Sequence, residues 1–363
     1  MSEIRLALAG VGNAASAFVQ SLTFYSSPAG KRKQEFLVYD KIGGYSLSDI
    51  RIVAAFDITE KKVSSPLLKA MFTKPNVVKH YVDEASLAEF SIEVQRGPTA
   101  DGINPVAKDV IEESKKPPVD ILKALKTSKA EILLCLLPSG AEKAVHQYAE
   151  AALGANCAFI NATPTVVASA REWGQRFKKA GLPVVGDDLQ SQLGGTRIHK
   201  GVLEILKNFG AEIINTYNLD VSGGSEALVA LDSGYRTQIM KSKIKSESIR
   251  RVVPYLSSND VATGTTDYLD FLGNQRIGHF WIKVLDFLAG EIHIDITVKS
   301  DDGPNAAGTL VDVVRSTKVA LDRSLDGPQF AISAYGFKNP PLYLTELAAH
   351  KAFQEFVTGE RVI

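Results

Sequence analysis

The sequence predicts a doubly wound α/β domain of the Rossmann type, joined to a smaller α+β domain. Two observations lead to this expectation. In the first half of the chain, short apolar runs alternate with helical patterns, as strands and crossover helices do in a parallel sheet buried on both faces. After about Lys200 the alternation gives way to longer strand-like segments and a basic helical stretch. The fold class expected is therefore α/β with a second domain of strands and helices.

The elements of the first domain follow the chain in order. Apolar runs predict strands at 4–9, 50–56, 130–137, 157–161 and 182–186. Helical periodicity predicts helices at 14–22, 141–153 and 169–180. Two stretches with neither pattern, 26–49 and 93–116, are expected to form long loops.

The second half of the chain has a different organisation. Strand-like segments occupy 211–221, 279–288 and 292–299, and the short connection between the last two predicts an antiparallel hairpin. A basic segment occupies 236–251, and if it is helical, Lys241 and Lys245 lie on one face. Helices are expected at 306–322 and 344–356. The apolar face of the 306–322 helix suits it to cover a sheet, so the chain should return to the first domain after about Gly303. The predicted domains are 1–200 completed by 303–363, and 201–302.

Composition restricts the class of protein. Of 363 residues, 45% are hydrophobic and 23% charged, which excludes a disordered or collagen-like chain. Lysine plus arginine and aspartate plus glutamate number 41 each, so the charge balance indicates neither a nucleic-acid partner nor a membrane surface. Cys135 and Cys157 form no paired motif, and no signal-peptide or membrane-span pattern is present. We expect a cytoplasmic protein.

A glycine motif follows the first predicted strand. Gly10 and Gly12 stand in the pattern Gly-x-Gly-x-x-Ala between that strand and a helix, followed by Asn13 and Ala14. Such a turn lets the backbone approach a pyrophosphate, and the helix N-terminus offers it free N–H groups. Asp57, at the end of the second strand, is the acid expected to hold the ribose, and the absence of an adjacent arginine favours NAD over NADP.

Six further segments occur in a distinctive order. They are QRGPTADG at 95–102, LPSG at 137–140, FINATP at 159–164, GDDLQSQ at 186–192, DGPN at 302–305 and SAYGFKNPP at 333–341. Together with the glycine motif, they resemble the myo-inositol-1-phosphate synthase family, and its shorter prokaryotic branch in particular, over about 4–341. The resemblance implies isomerisation of D-glucose 6-phosphate to 1D-myo-inositol 3-phosphate, also called L-myo-inositol 1-phosphate. The implied steps are oxidation at C5 by NAD, loss of a proton from C6, aldol closure onto C1 and re-reduction.

The resemblance also implies catalytic residues. A Lys-x-x-x-Lys pair of the family matches Lys241 and Lys245, although Lys243 could replace one of them in a shifted register. Lys338 matches another family lysine, and Arg276 stands where the family has a fourth. Arginine keeps the positive charge of that position but cannot exchange a proton near neutral pH. Asp302, which precedes a helix, completes the expected catalytic set and is equally well a turn or capping residue.

Binding residues are implied by the same resemblance. For the cofactor they are Gly10, Gly12, Asn13, Ala14, Asp57, Pro138, Asn161, Thr163, Asp187 and Asp188, with only one of the two adjacent acids expected to face the site. For the substrate they are Ser191, Gln192, Asp220, Glu226 and Asn305. Asp220 and Glu226 belong to a turn that departs from the family pattern, which bears on the identity of the substrate.

Other expectations and alternatives remain open at the level of sequence. The family implies a homotetramer and allows a Mg²⁺ or K⁺ ion, while the six histidines form no HxxxH or HExxH pair. An NAD-dependent dehydrogenase of a phosphorylated sugar or polyol would need the same glycine motif. So would a non-catalytic NAD-binding sensor.

Overall fold

A computed structural model of the chain describes residues 3–27, 36–231 and 236–360, with the side chains of 236–242 outside that description. Within these residues, the larger sheet contains the strands Ile4–Ala9 (β1), Ile50–Asp57 (β2), Val94–Arg96 (β3), Ile132–Cys135 (β4), Ala158–Asn161 (β5), Pro183–Gly186 (β6) and Gly327–Pro328 (β11). The seven strands are parallel and lie in the order β11-β6-β5-β4-β1-β2-β3. The order 3-2-1-4-5-6 is that of the Rossmann fold, so the predicted fold class is confirmed.

Helices cover both faces of this sheet. The helices of the described residues, those packed on the second sheet included, are Asn13–Ser26 (α1), Leu67–Ala70 (α2), Ile121–Ser128 (α3), Glu142–Ala155 (α4), Arg171–Lys179 (α5), Gly195–Asn208 (α6), Ser225–Ala230 (α7), Arg236–Val252 (α8), Asp302–Asp322 (α9), Phe330–Gly336 (α10) and Glu346–Thr358 (α11). One buried cluster joins the sheet to α1, α9 and α11, and a second joins its other face to α3, α4 and α5. The continuous apolar strands of the sequence are therefore buried on both sides.

The second sheet has four strands in the part of the chain that is described. They are Glu212–Ser222 (β7), Val261–Tyr268 (β8), Gln275–Leu285 (β9) and Glu291–Asp301 (β10), and they lie in the order β10-β9-β7-β8. The predicted hairpin is present, since β9 and β10 pair antiparallel, although β9 begins and ends earlier than expected. One face of the sheet packs on α6 and α8 through Leu203, Ile249 and Ile282, among others.

Helix α9 returns to the first sheet, as its apolar face predicts. Leu310, Val313 and Val314 are buried in the cluster that contains β1 and α1. The helix begins at Asp302 rather than at 306, because Pro304 falls in the first turn, where a missing N–H breaks no helical bond. It runs directly on from β10, and this places its N-terminus between the two sheets.

Several elements escaped the sequence patterns. Strand β3 lies in the expected 93–116 loop, and part of the expected 26–49 loop, 28–35, lies outside the described residues. Strand β8 was not predicted, and helix α6 was expected to open at Ser191 and Gln192 but begins at Gly195. Strand β8 contains Gly264 and is half exposed, while α6 opens on Gly195 and contains Gly201, so glycine weakens both patterns. Among the described helices, none combines the length and the hydropathy that crossing a membrane requires.

Candidate functional site

A cavity of about 1220 Å³ lies at the carboxyl edge of the larger sheet. The glycine turn after β1 and residues 136–142 after β4 form one wall, and β8, α7 and α8 contribute another. This position, where the strand order reverses, is where doubly wound sheets bind their ligands. The volume exceeds the roughly 300–1,000 Å³ of a typical small-molecule site, so it accommodates a dinucleotide together with a small substrate.

The two glycines of the turn are needed for different structural reasons. Gly10 has φ +96°, and a Cβ built there would lie 2.8 Å from the carbonyl oxygen of Leu136, on the neighbouring strand's continuation. A Cβ on Gly12 would meet no heavy atom of the described chain within 4 Å. Helix α1 then begins at Asn13, and no described side chain caps it. Open space beside uncapped N–H groups fits a bound pyrophosphate.

Asp57 lies beside this turn and shapes it. Its Oδ2 accepts a hydrogen bond from Val11 N at 3.0 Å, and its Oδ1 accepts from the backbone N–H groups of Ile58 and Thr59. The carbonyl of Val11 accepts in turn from Lys62 Nζ at 2.8 Å and from the amide of Asn76 at 3.0 Å. Burial lowers the pKa of Lys62, and Asp57 opposes this.

Lys62 and Asn76 were not predicted, because neither belongs to a motif of the sequence. Both line the cavity, as do Asn13 and Ala14. Asn13 is itself fixed, because its Oδ1 accepts from Val77 N at 2.8 Å. The glycine turn is thus held in its shape by side chains before any ligand binds.

Three of the residues expected to bind the cofactor, Asp187, Asn161 and Thr163, form hydrogen bonds within the protein instead. Asp187 is fully buried, and its carboxylate accepts from the backbone of 167–169, the Ser169 hydroxyl and the Asn161 amide. Asn161 accepts in turn from Thr163 N and Oγ1. None of the three side chains lines the cavity, so the expected direct contacts with the cofactor are not available to them. Instead, their hydrogen bonds stabilise the turn at 162–164. Its Ala162 and Pro164 do line the cavity, as does Pro138 after β4.

Asp188 lines the cavity and Asp187 does not, so only one of the two adjacent acids faces the site, as predicted. The reason is not strand alternation, because β6 ends at Gly186 and Asp188 has φ +62°. Its Oδ1 lies 2.7 Å from the Nζ of Lys338, which also lines the cavity. Backbone hydrogen bonds join the two segments, from Lys338 N to Asp188 O and from Asn339 N to Asp187 O. The lysine is therefore presented by a rigid pairing of two loops.

Lys245 of α8 is paired with Asp220 of β7. Both side chains are almost completely buried, at 11% and 3% exposed, and only Lys245 lines the cavity. Burial lowers the pKa of Lys245, Asp220 raises it, and the nearby cations Arg276 and Lys338 lower it further. Burial alone would raise the pKa of Asp220, but Lys245 and Arg276 hold it below its usual value. Asp220, expected to bind substrate, instead lies behind the lysine.

Arg276 of β9 lies 3.6 Å from Asp302 at the N-terminus of α9. Asp302, with help from Asp220 and Glu226, raises the pKa of the guanidinium above its already high value, although burial works against this. Arg276, Asp302 and Glu226 all line the cavity. Arg276 is therefore a permanent cation, and with Lys245 and Lys338 it forms what we call the cationic cluster.

The other predicted residues lie elsewhere. Ser191 and Gln192 precede α6 rather than open it, and the loop is fixed to Asn305 by hydrogen bonds from Gln192 N to Asn305 O and from Leu193 N to Asn305 Oδ1. None of the three lines the main cavity; Gln192 lines a smaller, apolar one of about 340 Å³. The side chain of Lys241 lies outside the described residues. Lys243 lines the cavity, so the alternative register stays open.

A metal site built from protein side chains finds no support in the described ranges, which contain no group of three His, Cys, Asp or Glu residues suited to one. Asp188 and Asp302 are each already paired with a cation of the cluster. The arrangement is therefore one of fixed positive charges, each matched by a carboxylate, around a space next to a dinucleotide turn.

Comparison with known proteins agrees with this geometry. The model of the myo-inositol-1-phosphate synthase family matches residues 194–303. The chain is 34% identical to an inositol-3-phosphate synthase of Mycobacterium tuberculosis (strain ATCC 25618 / H37Rv), with 99% of this chain and 96% of that protein covered. It is also 34% identical to an inositol-3-phosphate synthase of Mycolicibacterium smegmatis, with 98% of each covered.

Solved structures share the fold of this chain. The chain superposes on the crystal structure of Ari2 with a TM-score of 0.76 at 29% identity, covering 99% of this chain and 100% of that one. It matches the fold of a myo-inositol-1-phosphate synthase-related protein from Thermotoga maritima with a TM-score of 0.77 at 19% identity, covering 98% of both. With full-length relatives above 30% identity and the same architecture, this chain belongs to the myo-inositol-1-phosphate synthase family.

Proposed function

We propose that this protein is an inositol-3-phosphate synthase, which isomerises D-glucose 6-phosphate to 1D-myo-inositol 3-phosphate with NAD as a catalytic cofactor. The observation that carries the proposal is the cationic cluster in the same cavity as the glycine turn. A dehydrogenase of a phosphorylated sugar would need the same turn and a cation for the phosphate, but no charges to stabilise an enolate. Three cations beside the turn suit a reaction in which a phosphate ester, an enolate and an alkoxide must be stabilised in one pocket.

The residues around the glycine turn fit NAD. Gly12 and the uncapped start of α1 would hold the pyrophosphate, and Asp57 would receive the ribose hydroxyls on the lone pairs that the backbone leaves available. When bound, NAD supplies reversible hydride transfer at C5 of the sugar. The side chains of the chain itself must then bind the phosphate, move a proton at C6 and stabilise the oxygens that become negative.

Lys245 is the group best suited to take the proton from C6. Burial lowers the pKa of this lysine and two neighbouring cations lower it further, which favours the neutral amine that a base must be, while Asp220 opposes this. Arg276 cannot exchange a proton, so it acts as a fixed charge for an oxyanion. Lys338, which Asp188 orients, provides a second donor.

The replacement of a family lysine by Arg276 is compatible with this division of roles. A position that only stabilises charge tolerates arginine, because the guanidinium keeps the positive charge and adds donors. Asp302 holds that guanidinium from the N-terminus of α9. Glu226, at the start of α7, adds an acceptor that suits sugar hydroxyls.

The family resemblance places the phosphate of the substrate at the loop before α6 and at Lys241, although the side chains of Ser191, Gln192 and Asn305 do not line the main cavity. Ser191 and Gln192 lead into α6, which begins at Gly195 without a side-chain cap, and Asn305 fixes this loop. Lys241, one helical turn before Lys245, is the lysine we assign to the same phosphate by family resemblance.

We also propose that four copies assemble through the second sheet. Strand β10 is the edge of that sheet, and its side chains are mostly half-buried or exposed. Phe287 and Leu288, at the tip of the hairpin, are 85% and 88% exposed. An open edge with apolar residues beside it favours pairing with another copy.

The proposed division of labour follows the two sheets. Residues 1–200 with 303–363 would form the NAD-binding domain, and 201–302 the catalytic and tetramerisation domain. Free Cys135 and Cys157 are consistent with a reducing compartment, and we assign the enzyme to the cytoplasm.

The proposal is tested by incubating the purified protein with glucose 6-phosphate and NAD, with and without Mg²⁺ or K⁺. The phosphate is followed by ³¹P NMR and the nicotinamide by absorbance in the same tube. Inositol phosphate without lasting NADH is the expected result. Stoichiometric NADH without a cyclised product would instead establish a dehydrogenase, and bound NAD with no change in either signal would favour a sensor.

A further inference from the structure

Asn274 lies immediately before β9 and is 5% exposed, although it lines the main cavity. It holds the N-terminus of α9 in place. Its side-chain Oδ1 accepts a hydrogen bond from Gly303 N at 2.7 Å, and its carbonyl accepts from Asp302 N at 2.9 Å. The side chain of the N-cap residue, Asp301, does not cap α9, and Asn274 supplies the cap instead.

These contacts leave one donor of Asn274 without a partner. Because Oδ1 accepts from a backbone N–H, the orientation of the amide is fixed, and a flipped amide would set two donors against each other. The Nδ2 group is buried and has no hydrogen-bond partner among the described residues. Burying such a donor is costly, so native structures seldom leave it unpaired.

A second unpartnered donor lies two residues away. Arg276 Nε is also buried without a hydrogen-bond partner in the described part of the chain. Asn274 lies in the turn that leads into β9 and Arg276 lies on the strand, and both residues line the cavity. The carboxylate of Asp302, the first residue of α9, lies beside Arg276 and adds an acceptor to the two donors.

We propose that Asn274 Nδ2 and Arg276 Nε together donate to one oxygen of the sugar phosphate, a hydroxyl oxygen in the bound sugar and a carbonyl or enolate oxygen after oxidation, with Asp302 accepting from an adjacent hydroxyl. The assignment rests on the proposed function for the identity of the ligand. Two donors beside one acceptor match an oxygen that carries negative charge next to a hydroxyl group, which is the pattern of an open-chain hydroxyketone. Asn274 is thus a substrate-binding residue as well as a helix cap.

The two roles of Asn274 can be separated by substitution. Asn274→Asp keeps an oxygen for Gly303 N–H, removes the Nδ2 donor and adds a negative charge. Asn274→Ala removes both the oxygen and the donor, so it reports the loss of the cap. Asn259→Asp, at an exposed position, is the control for the added charge. Each protein is loaded with NADH, which prevents oxidation of the sugar, and is titrated with glucose 6-phosphate by calorimetry; melting temperature and NADH affinity are measured in parallel.

We expect Asn274→Asp to bind glucose 6-phosphate at least about tenfold more weakly, with melting temperature and NADH affinity unchanged. Asn274→Ala should weaken binding and lower the melting temperature, and Asn259→Asp should change neither. Wild-type affinity in Asn274→Asp would contradict the proposal and leave a water molecule as the partner of Nδ2. Weaker NADH binding in that variant would also contradict it, by assigning the donors to the cofactor.

The outcome for Asn274 is distinct from that for the proposed function. If wild-type protein binds glucose 6-phosphate but makes no inositol phosphate, the proposed reaction fails and the ratio of affinities still decides the role of Asn274. If it does not bind glucose 6-phosphate at all, both proposals are overturned.

Discussion

Lys245 and Asp220 form a buried ion pair in which each partner depends on the other. Removing the lysine would leave the Asp220 carboxylate unpaired behind the cavity. Such losses destabilise proteins by about 3–5 kcal/mol. We predict that Lys245→Met unfolds at a markedly lower urea concentration than wild type and has no measurable synthase activity.

The double variant Lys245→Met/Asp220→Asn separates stability from catalysis. The second substitution removes the unpaired charge, so most of the free energy of unfolding should return while activity does not. A double variant as unstable as Lys245→Met would show that the pair matters for packing rather than for charge.

Asp220 also controls the protonation of Lys245. It is the carboxylate that raises the pKa of this lysine against burial and against Arg276 and Lys338. Asp220→Asn removes that effect, so the pKa of Lys245 should fall further. If the neutral amine takes the proton from C6, the acid limb of kcat/KM against pH moves to lower pH. An acid limb at its wild-type position would contradict the role of Lys245 as the base, and movement of the alkaline limb would assign it the cationic role.

Residues of the site differ in how far the sequence predicts them. Strand alternation predicts that only one of Asp187 and Asp188 faces the cavity, but not which. The sequence does not predict that Asp220 lies behind Lys245, nor that Asn274 has an unpartnered donor. Both depend on how β7 pairs with β9 and how the start of β9 contacts α9, and local sequence patterns carry no information on such contacts. Lys62 carries no sequence signal, because a buried lysine under a turn follows from tertiary structure alone.

At the scale of elements, the turn between β1 and α1 makes the sharpest prediction. Gly10→Ala would place a Cβ 2.8 Å from the Leu136 carbonyl at a positive φ, and should lower the stability of the protein by about 1–3 kcal/mol. Gly12→Ala meets no described atom within 4 Å, so the fold should be unaffected.

NADH affinity and melting temperature distinguish the two variants. We expect Gly12→Ala to retain the wild-type melting temperature and to bind NADH at least about tenfold more weakly, because the methyl group occupies space needed for the pyrophosphate. Wild-type affinity in Gly12→Ala would contradict the assignment of this turn to the cofactor.

Elements with strong periodicity were predictable, and weakly patterned ones were not. The strands of the larger sheet are continuous apolar runs, and their alternation with helices is enough to indicate the fold class. Helix α6 and strand β8 carry glycines in their interiors, and their formation depends on packing against β7 and α8. Tertiary contacts therefore determine the parts of the second domain that local propensity does not.

At the scale of the molecule, the open edge of the second sheet predicts assembly. We expect light scattering to give the mass of four chains. Leu288→Lys/Ile292→Lys places charge on the hairpin and β10, where both residues are exposed, and should yield smaller species. Leu347→Lys, on α11 and 74% exposed, is the matched control and should remain tetrameric. A monomeric wild-type protein would contradict the proposed assembly.

The central claim of the proposed function is that the hydride removed from C5 of the sugar would return to the same carbon, so that bound NAD would be regenerated in each turnover. Glucose 6-phosphate deuterated at C5 tests this directly, with NAD present in much smaller amount than the sugar. We predict many equivalents of inositol phosphate for each NAD, no lasting absorbance of NADH, and deuterium retained at the carbon derived from C5. Deuterium recovered in a released reduced cofactor, without cyclised product, would contradict the account and show that the protein is a dehydrogenase.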